Sequence, residues 1–261
     1  MRILIAGASG MLGKALQKHL TAHELVPLNH QQLDITSYDA INDVIAAEMP
    51  DVVINCAAVA NVDAAELDPD NAHRVNAVGP ANFTKACGDI RIIYVSTDYV
   101  FDGNAHQPYA VDSMTNPINV YGRSKLDGEI ETQKAEDYLI VRTSWLFGEG
   151  RTFISNILAN KGEPQKIVDD QVSRPTFVED LAKGIGELLE APKGIYHVTN
   201  DGTASWFELA QAINPNGAFV PCKGEELGRP AIRPHYTPLE LSIPARHWRD
   251  ALADAIARNA F

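Results

Sequence analysis

Short apolar runs, each closed by glycine or a polar residue, recur through the first half of the chain. Arg2 to Ala6 is such a run and reads as a buried parallel strand. Leu12, Ala15, Leu16 and Leu20 then fall at helical spacing in and just beyond the segment from Met11 to His19. Leu25-Val26-Pro27-Leu28 reads as a second strand, and Thr36 or Ser37 stands where it can cap a helix through Ile41, Val44 and Ile45. Asp51 to Asn55 is a third strand. Pro69 to Cys87 is a long helical stretch that Pro80 interrupts. Arg91 to Val95, stopping at Ser96-Thr97, is a fourth strand. Asn119 to Lys134 is helical, and Tyr138 to Arg142 is a fifth strand. Strands alternating with helices predict an α/β fold, a Rossmann-type doubly wound parallel sheet.

After Gly148-Glu149-Gly150 the rhythm loosens. Phe153-Ile154 and Ile157-Leu158 suggest a helix, Lys166 to Val168 a short strand, and Val178 to Leu189 a helix. Gly194 to Val198 reads as a strand, Trp206 to Ile213 as a helix, and Arg246 to Arg258 as a terminal helix. Pro221 to Pro244 holds five prolines and reads as a loop crossing a surface. The change divides the chain into residues 1–150, a dinucleotide-binding domain, and residues 151–261, a smaller substrate-binding lobe. Folds of this kind weave later segments back into the first domain.

Composition narrows the chemistry. A chain of 261 residues with 45% hydrophobic positions has ample material for a core. No apolar run approaches the roughly eighteen residues of a membrane span, and no signal peptide is expected. The net charge of −12 argues against nucleic acid, whose binding rests on basic surface. Cys56, Cys87 and Cys222 form neither a disulfide framework nor a metal motif, which suits a reducing compartment.

Gly7, Gly10 and Gly13 follow one expected strand and open one expected helix. That context suits a pyrophosphate cradle: a tight turn, close backbone approach, and a helix N-terminus aimed at anions. The spacing is GxxGxxG. The second strand ends in Leu28-Asn29-His30-Gln31, with neither a carboxylate to repel a 2′-phosphate nor an arginine to bind one. NADPH is the favoured cofactor, with NADH open. Asp34-Ile35 either brackets the adenine or merely enters the next helix.

Tyr121 and Lys125 are four apart on a helix and share a face. A free phenol has a pKa of about 10, and a neighbouring ammonium is expected to lower it into a useful range. Thr97, at the tip of the fourth strand, is placed to reach a substrate carbonyl oxygen, and the adjacent Asp98 a substrate hydroxyl. Together with the glycine loop, these residues read as a carbonyl reductase using a nicotinamide cofactor.

At these motifs the chain resembles an extended short-chain dehydrogenase/reductase, and more closely the dTDP-4-dehydrorhamnose reductase family. The specific blocks are Ser96-Thr97-Asp98-Tyr99-Val100-Phe101 and Arg142-Thr143-Ser144-Trp145. Matching stretches from the glycine loop to Gly194-Ile195-Tyr196-His197 cover nearly the whole chain. The resemblance implies NAD(P)H-dependent reduction of the 4-keto group of a nucleoside-diphosphate deoxysugar, foremost dTDP-4-dehydro-L-rhamnose, in the cytoplasm. It implies that Thr97, Tyr121 and Lys125 are catalytic. Gly7, Gly10, Met11, Leu12, Gly13, Asp34, Ile35, Ala58, Val59, Ala60, Tyr121 and Lys125 would line the cofactor. Thr97, Asp98 and Trp145 would meet the sugar, although Trp145 also reads as a core aromatic. Of Arg174, Arg229 and Arg233, the last is preferred as a diphosphate clamp.

The chain departs from the family in Ala60-Asn61-Val62-Asp63-Ala64, where Thr-Ala-Val-Asp-Lys is usual, and in Ser173, where glycine is favoured. No compact carboxylate cluster supports a metal, and a homodimer stays open. Two other readings stand beside the leading one. One is a reductase of another small carbonyl compound. The other is a non-catalytic NADP(H)-binding regulatory subunit resembling the methionine adenosyltransferase beta subunit.

Overall fold

The computed structural model describes residues 1–150, 153–159 and 162–260. In chain order the first half runs β1 (Arg2–Ala6), α1 (Met11–His19), β2 (Glu24–Leu28), α2 (Tyr38–Glu48), β3 (Val52–Asn55), α3 (Val62–Leu67), α4 (Pro69–His73), α5 (Gly79–Cys87), β4 (Arg91–Thr97), α6 (Val120–Thr132) and β5 (Tyr138–Thr143). The second half runs β6 (Leu146–Phe147), α7 (Phe153–Ala159), β7 (Gln165–Val168), β8 (Val172–Ser173), β9 (Thr176–Phe177), α8 (Val178–Glu187), β10 (Gly194–His197), β11 (Ala204–Ser205), α9 (Trp206–Ile213), β12 (Phe219–Cys222) and α10 (Trp248–Ala257).

Six strands form one parallel sheet in the order β10-β5-β4-β3-β1-β2. Side-chain alternation divides each strand between two cores. Ile3, Ile5, Val52, Ile54, Leu139 and Val141 pack on one face, with α1 and α8. Leu4, Ala6, Val53 and Ile92 pack on the other, with α2 and α5. Both faces are covered, so the sheet's strands are near-continuous apolar runs, which is why they were legible. Pro27 is tolerated because β2 is an edge strand, where a missing backbone N–H breaks no ladder.

The stretch from Pro69 to Cys87 is three pieces rather than one helix. α4 and α5 are joined by a π-helical turn, Arg74–Val78, and Pro80 sits in the first turn of α5, where its missing N–H costs nothing. The proline-rich segment also differs from expectation. It opens with β12, which pairs with β7, and Pro234, Thr237, Pro238 and Leu239 farther along it are buried. It runs against residues 104–109 through bridges between Asn104 and Tyr236 and between Tyr109 and Leu239. Leu239 joins Val100, Phe101 and Tyr109 in a third small core. Backbone that lacks N–H groups can be buried here because little of it needs a partner.

Candidate active site

The sheet order reverses between β1 and β3, and a crevice opens at the C-terminal ends of the strands on either side of such a switch. A cavity of about 510 Å³ occupies that position. It is walled by the loops after β1, β3, β4 and β5, and by Tyr121 and Lys125 of α6. The cavity therefore collects Gly7, Gly10, Met11, Leu12, Gly13, Ala58, Ala60, Thr97, Asp98, Tyr121, Lys125 and Trp145 from the sequence reading.

The glycine loop suits a pyrophosphate by its geometry. Gly7 has φ +79°, and a Cβ there would lie 2.8 Å from the backbone nitrogen of Ala57, so only glycine lets the β1 and β3 loops meet this closely. α1 starts at Gly10 with no side-chain cap and no acidic residue in its first turn. Its leading N–H groups and positive dipole end thus remain available to an anion.

The other cofactor positions lie elsewhere. Asp34 accepts the N–H and hydroxyl of Thr36 and forms the turn into α2, which holds its carboxyl below the usual range. Ile35 is buried in the second core, and neither residue lines the cavity. Val59 is likewise absent from the lining; its backbone is held from both sides by the carboxamide of buried Asn76.

α6 is delivered to the cavity by its N-terminus. Asn119 caps it, accepting the N–H of Gly122 at 2.8 Å. A Cβ on Gly122 would collide with the carbonyl oxygen of Tyr99, so glycine lets α6 press against the turn that follows β4. Tyr121 thereby comes beside the Thr97 hydroxyl, which favours its phenolate, and its ring meets Tyr99 edge-on at 5.9 Å. One turn on, Lys125 is 2% exposed. Its ammonium donates to the Val95 carbonyl at 2.6 Å and sits 4.0 Å over the Tyr94 ring.

The expected electrostatics of this pair need correcting. Burial lifts the Tyr121 phenol to about 12, against the pull of the Thr97 hydrogen bond. Burial also lowers Lys125 to about 7, against the support of Glu129. Each group is desolvated, and the ammonium is already committed to Val95 and Tyr94, so desolvation outweighs mutual help.

Asp98 is 2% exposed, and burial raises it to about 6. Three hydroxyls converge on its carboxylate: Thr97 on Oδ1 at 3.1 Å, and Ser173 at 2.9 Å and Thr237 on Oδ2. Ser173 and Thr237 come from the second half of the chain, so this carboxylate ties the halves together.

Trp145 has φ +42°, left-handed backbone that is strained for a bulky residue. Its ring stacks on Trp206 at 3.7 Å, and both rings line the cavity. Among the described residues, Trp145 Nε1 and Thr143 Oγ1, both on cavity-lining residues, are buried without a hydrogen-bond partner. The sequence reading missed Trp206. Ser205 and Glu208 form a capping box that marks the start of α9, but nothing local says where that start lands.

The arginines do not form a clamp in the cavity wall. Arg233, the preferred choice, grips Asp63 with both terminal nitrogens, at 2.6 and 2.7 Å. Arg174 pairs with Asp201 at 2.6 Å, and neither these two nor Arg229 lines the cavity. Arg233's fork is spent because Asp63, at the start of α3, faces the proline-rich segment. Behind the site, Arg142 and Glu129 form a fully buried ion pair, 2.7 and 2.9 Å, between β5 and α6. Glu129 also accepts the hydroxyl of Ser96.

Comparison with known proteins agrees with this architecture. The family model described as "RmlD substrate binding domain" matches residues 1–261. A dTDP-4-dehydrorhamnose reductase of Mycolicibacterium smegmatis is 41% identical, over 98% of this chain and 85% of that protein. A crystal structure of a dTDP-4-dehydrorhamnose reductase from Clostridium acetobutylicum superposes with TM-score 0.95 at 37% identity, covering 99% of both chains. The Bacillus anthracis enzyme of the same name, solved in complex with NADP, gives TM-score 0.95 at 34% identity, covering 98% of this chain and 99% of that one. With the family model spanning residues 1–261 and relatives this similar over nearly the whole chain, this chain belongs to the RmlD family of dTDP-4-dehydrorhamnose reductases.

Proposed function

We propose that the chain reduces the 4-keto group of a dTDP-linked deoxysugar with NADPH, with NADH open, and that its principal substrate is dTDP-4-dehydro-L-rhamnose. The observation that carries this reading is the meeting of the glycine loop, Thr97, Tyr121 and Lys125 on one cavity at the sheet's switch point. The nicotinamide supplies the hydride. Gly7, Gly10 and the N-terminus of α1 hold the pyrophosphate. Lys125, in the cavity wall, would hold the ribose. Tyr121 donates the proton to the ketone oxygen, and Thr97 orients it.

The sugar packs against Trp145, whose unpaired indole N–H needs an acceptor that a hydroxylated ring can supply. Residues beyond 150 contribute the substrate side through Trp206, Ser173 and Thr237. Relatives carry neighbouring names: a Streptomyces antibioticus protein, 38% identical, is a probable dTDP-4,6-dihydroxy-2-methyloxan-3-one 4-ketoreductase. The cytoplasm suits three unpaired cysteines and a reduced nicotinamide pool.

The test is NADPH oxidation by the purified chain with dTDP-4-dehydro-L-rhamnose, followed by loss of NADPH absorbance, with product identified as dTDP-L-rhamnose. NADPH binding without turnover of this or related dTDP-4-ketosugars would overturn the reading in favour of a non-catalytic subunit.

A further inference from the structure

The proton of the hydroxyl expected to meet the ketone is already engaged. A threonine hydroxyl has one proton to give and two lone pairs to receive with. The Thr97 proton goes to Asp98 Oδ1, 3.1 Å away. One lone pair accepts the N–H of Tyr99 at 3.2 Å. So long as Asp98 is an acceptor, the one Thr97 proton is held away from a substrate.

We propose that Asp98 is a positioning residue that gates the proton-transfer set, its protonation reversing its bond with Thr97 so that the Thr97 hydroxyl turns its proton to the substrate carbonyl. A proton taken from solvent by Asp98 is donated to Thr97 Oγ1. The Thr97 proton is then free to leave Asp98 and turn to the substrate carbonyl. No bond of the substrate changes in this step; only the direction of one hydrogen bond does. The inference rests on the ketoreductase reading above.

Ser173 and Thr237 set the gate. Both donate to Asp98 Oδ2, and both therefore favour the ionised, closed form. They reach Asp98 from β8 and from the proline-rich segment, so the second half of the chain tunes a residue of the first. The other groups facing Asp98 are Tyr121 on α6 and Tyr99 on its own turn, both raised by burial and by the charge of Asp98. Arg233 and Arg229 stand beyond Tyr99 and act on that phenol. Burial lifts Asp98 to about 6, which puts its ionisation within reach of an ordinary pH profile.

The experiment is kcat/KM against pH for the wild type, Asp98→Asn, Ser173→Ala and Thr237→Val, with NADPH and dTDP-4-dehydro-L-rhamnose. The wild type should lose activity tenfold per pH unit above a break near the Asp98 pKa. Removing either hydroxyl donor destabilises the ionised form, so the break should move up by about one pH unit. Asp98→Asn should lose the break altogether. If that variant does not fold, the two shifts decide alone. A second fall from Lys125, lowered to about 7, would stay in place, since neither hydroxyl bonds that ammonium. Turnover with an unmoved break in all the variants overturns the gate and leaves the ketoreductase intact. Absence of turnover in the wild type removes both.

Discussion

The cavity has two walls of different origin. One is made by residues that are near neighbours in sequence: the glycine loop, Thr97-Asp98, and Tyr121 with Lys125. The other is assembled from pieces far apart: Trp145 stacked on Trp206, with Ser173 and Thr237 buried behind the lining where they hold Asp98. The first wall holds backbone and proton-transfer groups whose geometry a strand end or a helix turn dictates. The second holds shape and polarity, which depend on how remote segments pack. The residues proposed for proton transfer thus sit on local structure, and the shape of the opposite wall sits on tertiary contacts.

The largest expected effect lies on the first wall. Tyr121→Phe removes the proton donor, and kcat should fall on the order of 10²–10⁴-fold. NADPH affinity, by equilibrium fluorescence titration, should stay close to that of the wild type. Near-normal turnover would take Tyr121 out of the reaction and dissolve the contrast between the walls.

Next in size is the support beneath that wall. Glu129→Gln leaves the buried Arg142 guanidinium without its counter-charge, and unfolding in urea should show a loss of about 3–5 kcal/mol. It should also lower Lys125 further, since Glu129 supports that ammonium. A loss below about 1 kcal/mol would mean that the pair is not the anchor of α6 on β5.

His197 lies at the junction of the two regions, beside Arg142 on the returning strand β10. Burial and Arg142 lower it to about 4. The folded chain therefore stays unprotonated where the unfolded chain, with a histidine near 6.5, takes up a proton. Stability is lost as pH falls from about 6.5 to 4, by on the order of 3 kcal/mol. Asp98, raised to about 6, works with the opposite sign over part of that range. Urea unfolding at the two ends of the window should show a smaller acid loss in His197→Gln than in the wild type. An equal loss would show that His197 is not the sensor.

The smallest effect tests the second wall itself. Trp206→Ala removes the stack that holds Trp145 in its strained backbone, so KM for the sugar nucleotide should rise about tenfold while KM for NADPH barely moves. Equal rises in both constants would place Trp206 with the cofactor rather than the sugar.

Particular residues show what was legible. The five strands of the first half were readable because a doubly covered parallel sheet demands unbroken apolar runs, and β1, β3 and β4 are such runs. Tyr121-x-x-x-Lys125 was readable because helix pitch places the two on one face. The sixth strand, Gly194–His197, was visible as a strand, but its parallel pairing with β5 was not. Arg233 misled because an arginine's appetite for anions is met equally well by a protein carboxylate, here Asp63. The lowering of the Tyr121 pKa by Lys125 misled because proximity on a helix face says nothing about desolvation.

The sequence by itself determined the periodicities, the glycine turn and the shared helix face of Tyr121 and Lys125, because each depends on a few adjacent dihedrals and the pitch of one element. Tertiary structure alone decided which hydroxyls surround Asp98, which aromatic backs Trp145 and how far burial shifts each ionisable group. Those properties arise where distant segments exclude water together, and no stretch of chain contains that information alone.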